Sequence, residues 1–233
     1  MSANNYVNWL ILVVSVILLV LFVKRQLQLP EPLLRLDILK IPNFDLGVAL
    51  TFLSYMSLIT VTIIMPLYYQ QVLKMSPPLW SGLALVPAAA LLSWLNRRSG
   101  LLADRIGFKP VIMSGFVLFI VGWGMLLLWA SFANVWMTII CSMLIEAGNA
   151  FAMMPATTLG ANSLNDDLIP HGSSIIATFR QVMGSAAIVL ATVILGTRNF
   201  TGVFFTFLIL ETIALVLVFF IKDTQATSQH VKP

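Results

Sequence analysis

Three ionisable side chains stand inside long apolar stretches: Glu146, Arg180 and Glu211. A charge at the centre of a bilayer costs at least about 2.5–3.5 kcal/mol on insertion scales, so each group placed there needs a partner, a proton or a task. A carboxyl in that position can carry a proton or contact a substrate in a central cavity. It can equally join a neighbouring helix as a neutral acid through one hydrogen bond. Arg180, followed by Gln181, reads either as a polar helix start near one membrane surface or as part of a cavity lining. A separate charged element runs from Ser99 to Pro110 as SGLLADRIGFKP. Gly100 and Gly107 permit tight backbone geometry there. Asp104, Arg105 and Lys109 place charge beside helix ends, where it can bias how two helices dock.

Other chemistries lack their residues. Cys141 is the one cysteine, which excludes an internal disulfide and a Cys-based metal site. The two histidines, His171 and His230, have no ligand spacing around them. Neither a metal nor a cofactor is expected, and the chain does not read as an enzyme.

The elements that position these residues follow from composition. Of the 233 residues, 59% are apolar and only 9% charged, against about 25% charged in an ordinary soluble domain. So little polar surface excludes a soluble enzyme, a disordered tail and a nucleic-acid reader. Long unbroken apolar runs make the chain an all-α polytopic membrane protein. Seven spans are expected, at Tyr6–Val23, Leu46–Tyr69, Leu79–Leu95, Val111–Ala133, Val135–Met154, Ser173–Leu195 and Val203–Ile221. Arg97 and Arg98 cut the third short. The first reads as a retained span, since Met1–Asn8 has no positive charge and Lys24 and Arg25 follow the apolar run.

Orientation follows from the basic residues. With the N-terminus outside, the inner segments hold Lys24, Arg25, Arg35, Lys40, Arg97, Arg98, Arg105, Lys109, Arg180, Lys222 and Lys232. The outer segments hold Lys74 and Arg198, a bias of 11 to 2. Basic residues collect on the cytoplasmic side. A multi-pass protein of the cell membrane is therefore expected, with its N-terminus outside and its C-terminus in the cytoplasm. Ser99–Pro110 becomes a short inner turn, and Ala156–Gly172 a long inner segment. Only Asn134 separates the fourth and fifth spans, which must be antiparallel neighbours. Trp9, Tyr68, Tyr69, Trp80 and Trp136 fall near outer ends, where an aromatic belt belongs. Gly115 and Gly122 share one face of the fourth span, and small residues let membrane helices approach closely.

The pattern G-x-L-x-D-R-x-G-x-K at Gly100–Lys109 resembles the loop signature of the major facilitator superfamily. MPLYYQQVL at Met65–Leu73 and MMPATTLGANSL at Met153–Leu164 sharpen the resemblance, with HGSS at His171–Ser174 and RQVMGS at Arg180–Ser185. Together they resemble the C-terminal half of the 14-span drug:proton antiporters of EmrB/QacA type. The resemblance implies that residues 46–222 form a six-helix transporter half. Residues 1–45 would supply one linker helix with its inner loop, and 223–233 a cytoplasmic tail. It implies an inner-gate role for Gly100, Asp104, Arg105, Gly107 and Lys109. It leaves Glu146, Arg180, Gln181 and Glu211 as candidates for the substrate or proton pathway. Multidrug efflux by proton antiport is implied, driven by the proton gradient, with a lipophilic substrate. The partners would be the bilayer and an N-terminal half or a second copy, and no nucleic acid. A departure stands beside these matches, because LLSWLNRRSG carries Arg97 and Arg98 ahead of the signature. In the family the best-attested proton-carrying acids lie in the N-terminal half, so this chain alone is expected to be inactive.

Seven spans also suit a retinal protein or an intramembrane protease. The expected spans contain no lysine for a Schiff base, and neither aspartate nor histidine for a protease. A membrane assembly partner without transport activity of its own is the remaining alternative.

Overall fold

The computed structural model describes residues 35–132 and 134–221, with scattered positions between 10 and 25. The expected first span, Tyr6–Val23, lies largely outside the described residues, as do the tail and Trp9. Packing divides the chain into two units, Met1–Asp37 and Ile38–Pro233. The second contains six helices long and apolar enough to cross a membrane. These are α1 (Pro42–Gln71), α2 (Pro78–Ile106), α3 (Phe108–Trp129), α4 (Val135–Asn162), α5 (Asp166–Thr197) and α6 (Asn199–Val218). Among the described residues there is no strand.

The punctuation is local. Pro42 opens α1 at its first turn, where a missing N–H costs nothing. α2 is two helical pieces, Pro78–Leu83 and Val86–Ile106. A 3-10 turn at Ala130–Phe132 follows α3. Asn134 then caps α4, its Oδ1 accepting from the amides of Trp136 at 2.9 Å and Met137 at 3.5 Å. α5 breaks into α6 at Asn199, whose φ is 67°.

Several expected loops are helical. α2 continues through Ile106, so the SGLLADRI part of the signature is helix. The turn shrinks to Gly107 alone, at φ 94° and ψ 157°, before α3 begins at Phe108. A Cβ is strained in that conformation, so the glycine is required. The expected inner segment Ala156–Gly172 likewise belongs mostly to α4 and α5. Polar residues marked those stretches as loops, but helices that overrun the hydrocarbon keep their hydrogen bonds in the headgroup layer. Asp45, Asp104 and His171 consequently lie in helices near their ends.

Glycine sets the tightest packing. A Cβ on Gly115 of α3 would stand 2.6 Å from the Ala152 amide nitrogen and 2.8 Å from the Gly148 carbonyl of α4. A Cβ on Gly148 would stand 2.8 Å from the Gly115 carbonyl. The two backbones therefore touch, and Gly122 extends the seam to Cys141 and Ile145. On another side of α4, a Cβ on Gly47 of α1 would stand 2.8 Å from Gly160 Cα. Near the Asn134 end an aromatic ladder joins α1, α3 and α6. Tyr68 meets Phe200 and Phe204 edge-on, and Trp123 packs on Phe204 and Phe207. Tyr68 donates to the Ala130 carbonyl at 3.2 Å. Tyr68 and Tyr69 are thus buried core, not belt residues. Trp80 and Trp136 are exposed, as a belt requires.

Gly148→Val should force α3 and α4 apart, at a cost of about 1–3 kcal/mol. Gly100→Ala should cost nothing within this unit, because a Cβ there meets no atom within 4 Å. Thermal unfolding in detergent checks both. Equal melting of the two variants would contradict the packing account.

Candidate functional site

α1 carries a buried polar stripe, Thr51, Ser54, Ser57 and Thr60, at three-residue spacing. These side chains reach different helices. Thr51 shares a 3.2 Å hydrogen bond with Thr157 of α4. Asn149 of α4 donates from Nδ2 to the Ser54 carbonyl at 2.9 Å. Ser57 donates to Oε1 of Glu211 on α6, and Trp123 of α3 donates from Nε1 to Ser57 Oγ at 3.1 Å. Glu211 is 1% exposed and has no cation beside it among the described residues. It sits as one acceptor in a three-helix tie, the arrangement expected of a carboxyl that serves packing.

Glu146 is placed differently. The pairs Gly47–Gly160, Thr51–Thr157 and Ser54–Asn149 set an antiparallel register between α1 and α4. Continuing it puts Glu146 level with the turn of α1 that follows Ser54. Ser57, which holds Glu211, lies in that turn near the middle of α1. Both carboxyls therefore occupy one depth. They occupy different sides. At about 100° per residue, Glu146 is about 60° around α4 from Asn149 and turned away from Gly148. It lies within the α1-facing stripe of Asn149, Gly160 and Thr157, near the edge that borders the exposed Trp136, Ile140 and Met154. Its side chain is 5% exposed, and its Oε2, like that of Glu211, has no hydrogen-bond partner among the described residues.

α5 packs on α1. Tyr55 of α1 donates to Gln181 Oε1 at 3.3 Å. The Arg180 guanidinium lies over the Tyr55 ring, 5.3 Å from its centroid. Gly184 lets the ring approach, since a Cβ there would stand 2.6 Å from Tyr55 Cε1. Arg180 and Gln181 lie well inside the helix that begins at Ile169, so the helix-start reading gives way to contact with α1. Thr62, exposed on the same side of α1 as Tyr55, continues this surface. Sequence reasoning missed Tyr55, Ser57, Trp123 and Asn149. The three-residue spacing of hydroxyls in α1 was the available signal.

The signature residues separate by role. Lys109 donates from Nζ to the carbonyls of Phe219 at 3.2 Å and Ile221 at 3.3 Å. It caps the C-terminal end of α6, where a cation opposes the helix dipole. Gly107 makes the turn. Asp104 and Arg105 are exposed on α2, and among the described residues neither has a hydrogen-bond or ion-pair partner. Among the described residues no cluster of His, Cys, Asp or Glu could hold a metal.

The structure is a helical membrane bundle with a buried polar seam and uncovered flanking spans, and the comparisons give its family. The family model of the Major Facilitator Superfamily matches residues 49–233. The chain belongs to that superfamily of transporters. The lincomycin resistance protein LmrB of Listeria monocytogenes is 33% identical over 184 residues, covering 79% of this chain and 39% of that protein. The MFS-type transporter YcnB of Bacillus subtilis is 31% identical over 235 residues, 94% of this chain and 49% of YcnB. The probable multidrug resistance protein EmrY of Escherichia coli is 25% identical, over 84% of this chain and 38% of EmrY. The chain thus spans less than half the length of these curated relatives. The six-helix bundle and its multi-pass membrane location accord with the sequence reading.

The Ser57–Glu211 tie can be measured by a double-mutant cycle, with Ser57→Ala and Glu211→Gln singly and together. Unfolding in a denaturing detergent should show a coupling of about 1 kcal/mol. Strict additivity would mean that the two side chains do not interact.

Proposed function

We propose that this chain works as one half of a multidrug-type exporter driven by proton antiport. The observation that carries the reading is the uneven cover of the six spans. Of the most apolar stretch of α1, 61% is buried, and of α4, 56%. For α2 and α5 the figure is 17% each. The bundle covers its centre and leaves two spans bare. A facilitator-type carrier places its substrate between two six-helix halves and rocks one against the other. The bare spans suit a surface that meets such a second half, either a separate N-terminal half or another copy of this chain. The names of LmrB and EmrY, which speak of lincomycin and multidrug resistance, support drug export as the activity; in this reading the substrate is a lipophilic small molecule.

In this reading Glu146 is the acid of the pathway, with Arg180 and Gln181 on the facing helix. Glu211 holds α6 in place and takes no part in coupling. Asp104 and Arg105 stand exposed at the Gly107 end of α2, where they govern the inner gate. The proton gradient supplies the energy. The basic bias supports an orientation with the Gly107 end of the bundle facing the cytoplasm, in the plasma membrane. The second reading, an assembly partner without transport, rests on the same bare spans and predicts no transport in any combination.

The test reconstitutes the purified chain in liposomes with an imposed proton gradient and a fluorescent lipophilic cation. The chain alone should move no dye. With an N-terminal six-helix half, movement should appear, should be lost in Glu146→Gln and be impaired in Asp104→Asn, and should survive Glu211→Gln. Saturable movement by the chain alone would contradict the need for a separate N-terminal half and leave a second copy of the chain to serve in its place. Full movement by Glu146→Gln would remove Glu146 from the pathway.

A further inference from the structure

Arg97 and Arg98 are the residues that the signature does not account for, and α2 shows where they stand. The two pieces of α2 run from Pro78 to Ile106 over 29 residues, a rise of at most about 43 Å. A hydrocarbon core of about 30 Å takes about twenty of them. Counted from Pro78, that core ends near Arg97. The last turns of α2 therefore run through a headgroup layer.

Those turns have two faces. Ala88, Ser99 and Ala103 are buried, and Leu92 and Leu95 are half-buried beside them. Trp94, Arg97, Arg98, Leu101 and Arg105 follow at spacings of three, one, three and four. They fall within about 100° of each other, on the side turned away from the buried face. All five are exposed. The Arg98 guanidinium stacks on the Trp94 ring at 3.6 Å from its centroid. Among the described residues none of the three arginines has a carboxylate partner. Asp104 borders the stripe, so three positive charges face one negative.

We propose that this stripe of α2 binds the headgroup of an anionic phospholipid. A guanidinium can grip two phosphate oxygens at once through parallel N–H donors. Stacking on Trp94 fixes the plane of Arg98 before the lipid arrives, so less side-chain freedom is lost on binding. Trp94 sits at the depth where an indole bridges hydrocarbon and headgroups, and Leu101 offers apolar surface to an acyl chain. Basic side chains at a membrane surface attract anionic lipid. The bilayer supplies that partner at this depth whatever the transport function proves to be.

Native mass spectrometry of the full chain in detergent, titrated with phosphatidylglycerol or phosphatidylcholine, tests the proposal. Wild-type chain should retain phosphatidylglycerol at least about fivefold more strongly. Arg97→Gln/Arg98→Gln/Arg105→Gln should lose that preference, while Lys74→Gln, at the far end of the bundle, should keep it. Circular dichroism verifies that the triple variant is helical. If it is not, Arg98→Gln and Arg105→Gln singly should each weaken the preference. An excess of inorganic phosphate should not displace the lipid, and full displacement would mean a free-anion site. Equal retention by wild type and the triple variant would overturn the proposal. So would a photo-crosslinker at residue 98 that captures a coexpressed six-helix half and no lipid.

Discussion

The bundle depends on the contact of α4 with two neighbours at backbone distance. Gly148 meets Gly115 on α3, and Gly160 meets Gly47 on α1. In a membrane the lipid tails are as apolar as the side chains, so burial alone does not bring helices together. Close approach gains dispersion between backbones, and it brings short polar side chains within reach of the next helix. The Asn149 bond to the Ser54 carbonyl and the Thr51–Thr157 pair exist because α1 and α4 lie that close. Larger residues at the glycine positions would separate the helices and leave these groups unpartnered in hydrocarbon.

Once α4 is fixed, the two carboxyls near the middle of the bundle acquire different surroundings. α1 stands as a wall. On one side Ser57, Trp123 and Glu211 join α1, α3 and α6 in a closed polar tie. On the other, Arg180 and Gln181 of α5 meet Tyr55, and Thr62 is exposed beside it. Equal depth and equal chemistry thus meet unequal surroundings, because Ser57 donates to Oε1 of Glu211, while Oε2 of each acid has no hydrogen-bond partner among the described residues.

The architecture was legible in the sequence, because hydropathy over about twenty residues is a strong signal and the glycine pair of α3 marked its packing face. The ends of the helices were less so. Charged residues at Arg97–Arg105 and Asp166–Asp167 imitate loops, although a helix that has left the hydrocarbon can carry them. The signature was readable as a motif. That Lys109 caps the end of α6 was not, since the partners lie more than a hundred residues away. The difference between Glu146 and Glu211 was equally hidden. Both are single acids in apolar runs, and only the packing of α1 distinguishes them.

That α1 divides a closed side from an open one can be tested by cysteine accessibility in a Cys141→Ser background. Ser57→Cys and Thr62→Cys would be exposed to a small charged thiol reagent that does not enter lipid. Residue 62 should react readily and residue 57 should stay protected until the protein unfolds. Reaction of residue 57 at the rate of residue 62, or protection of both, would contradict the division.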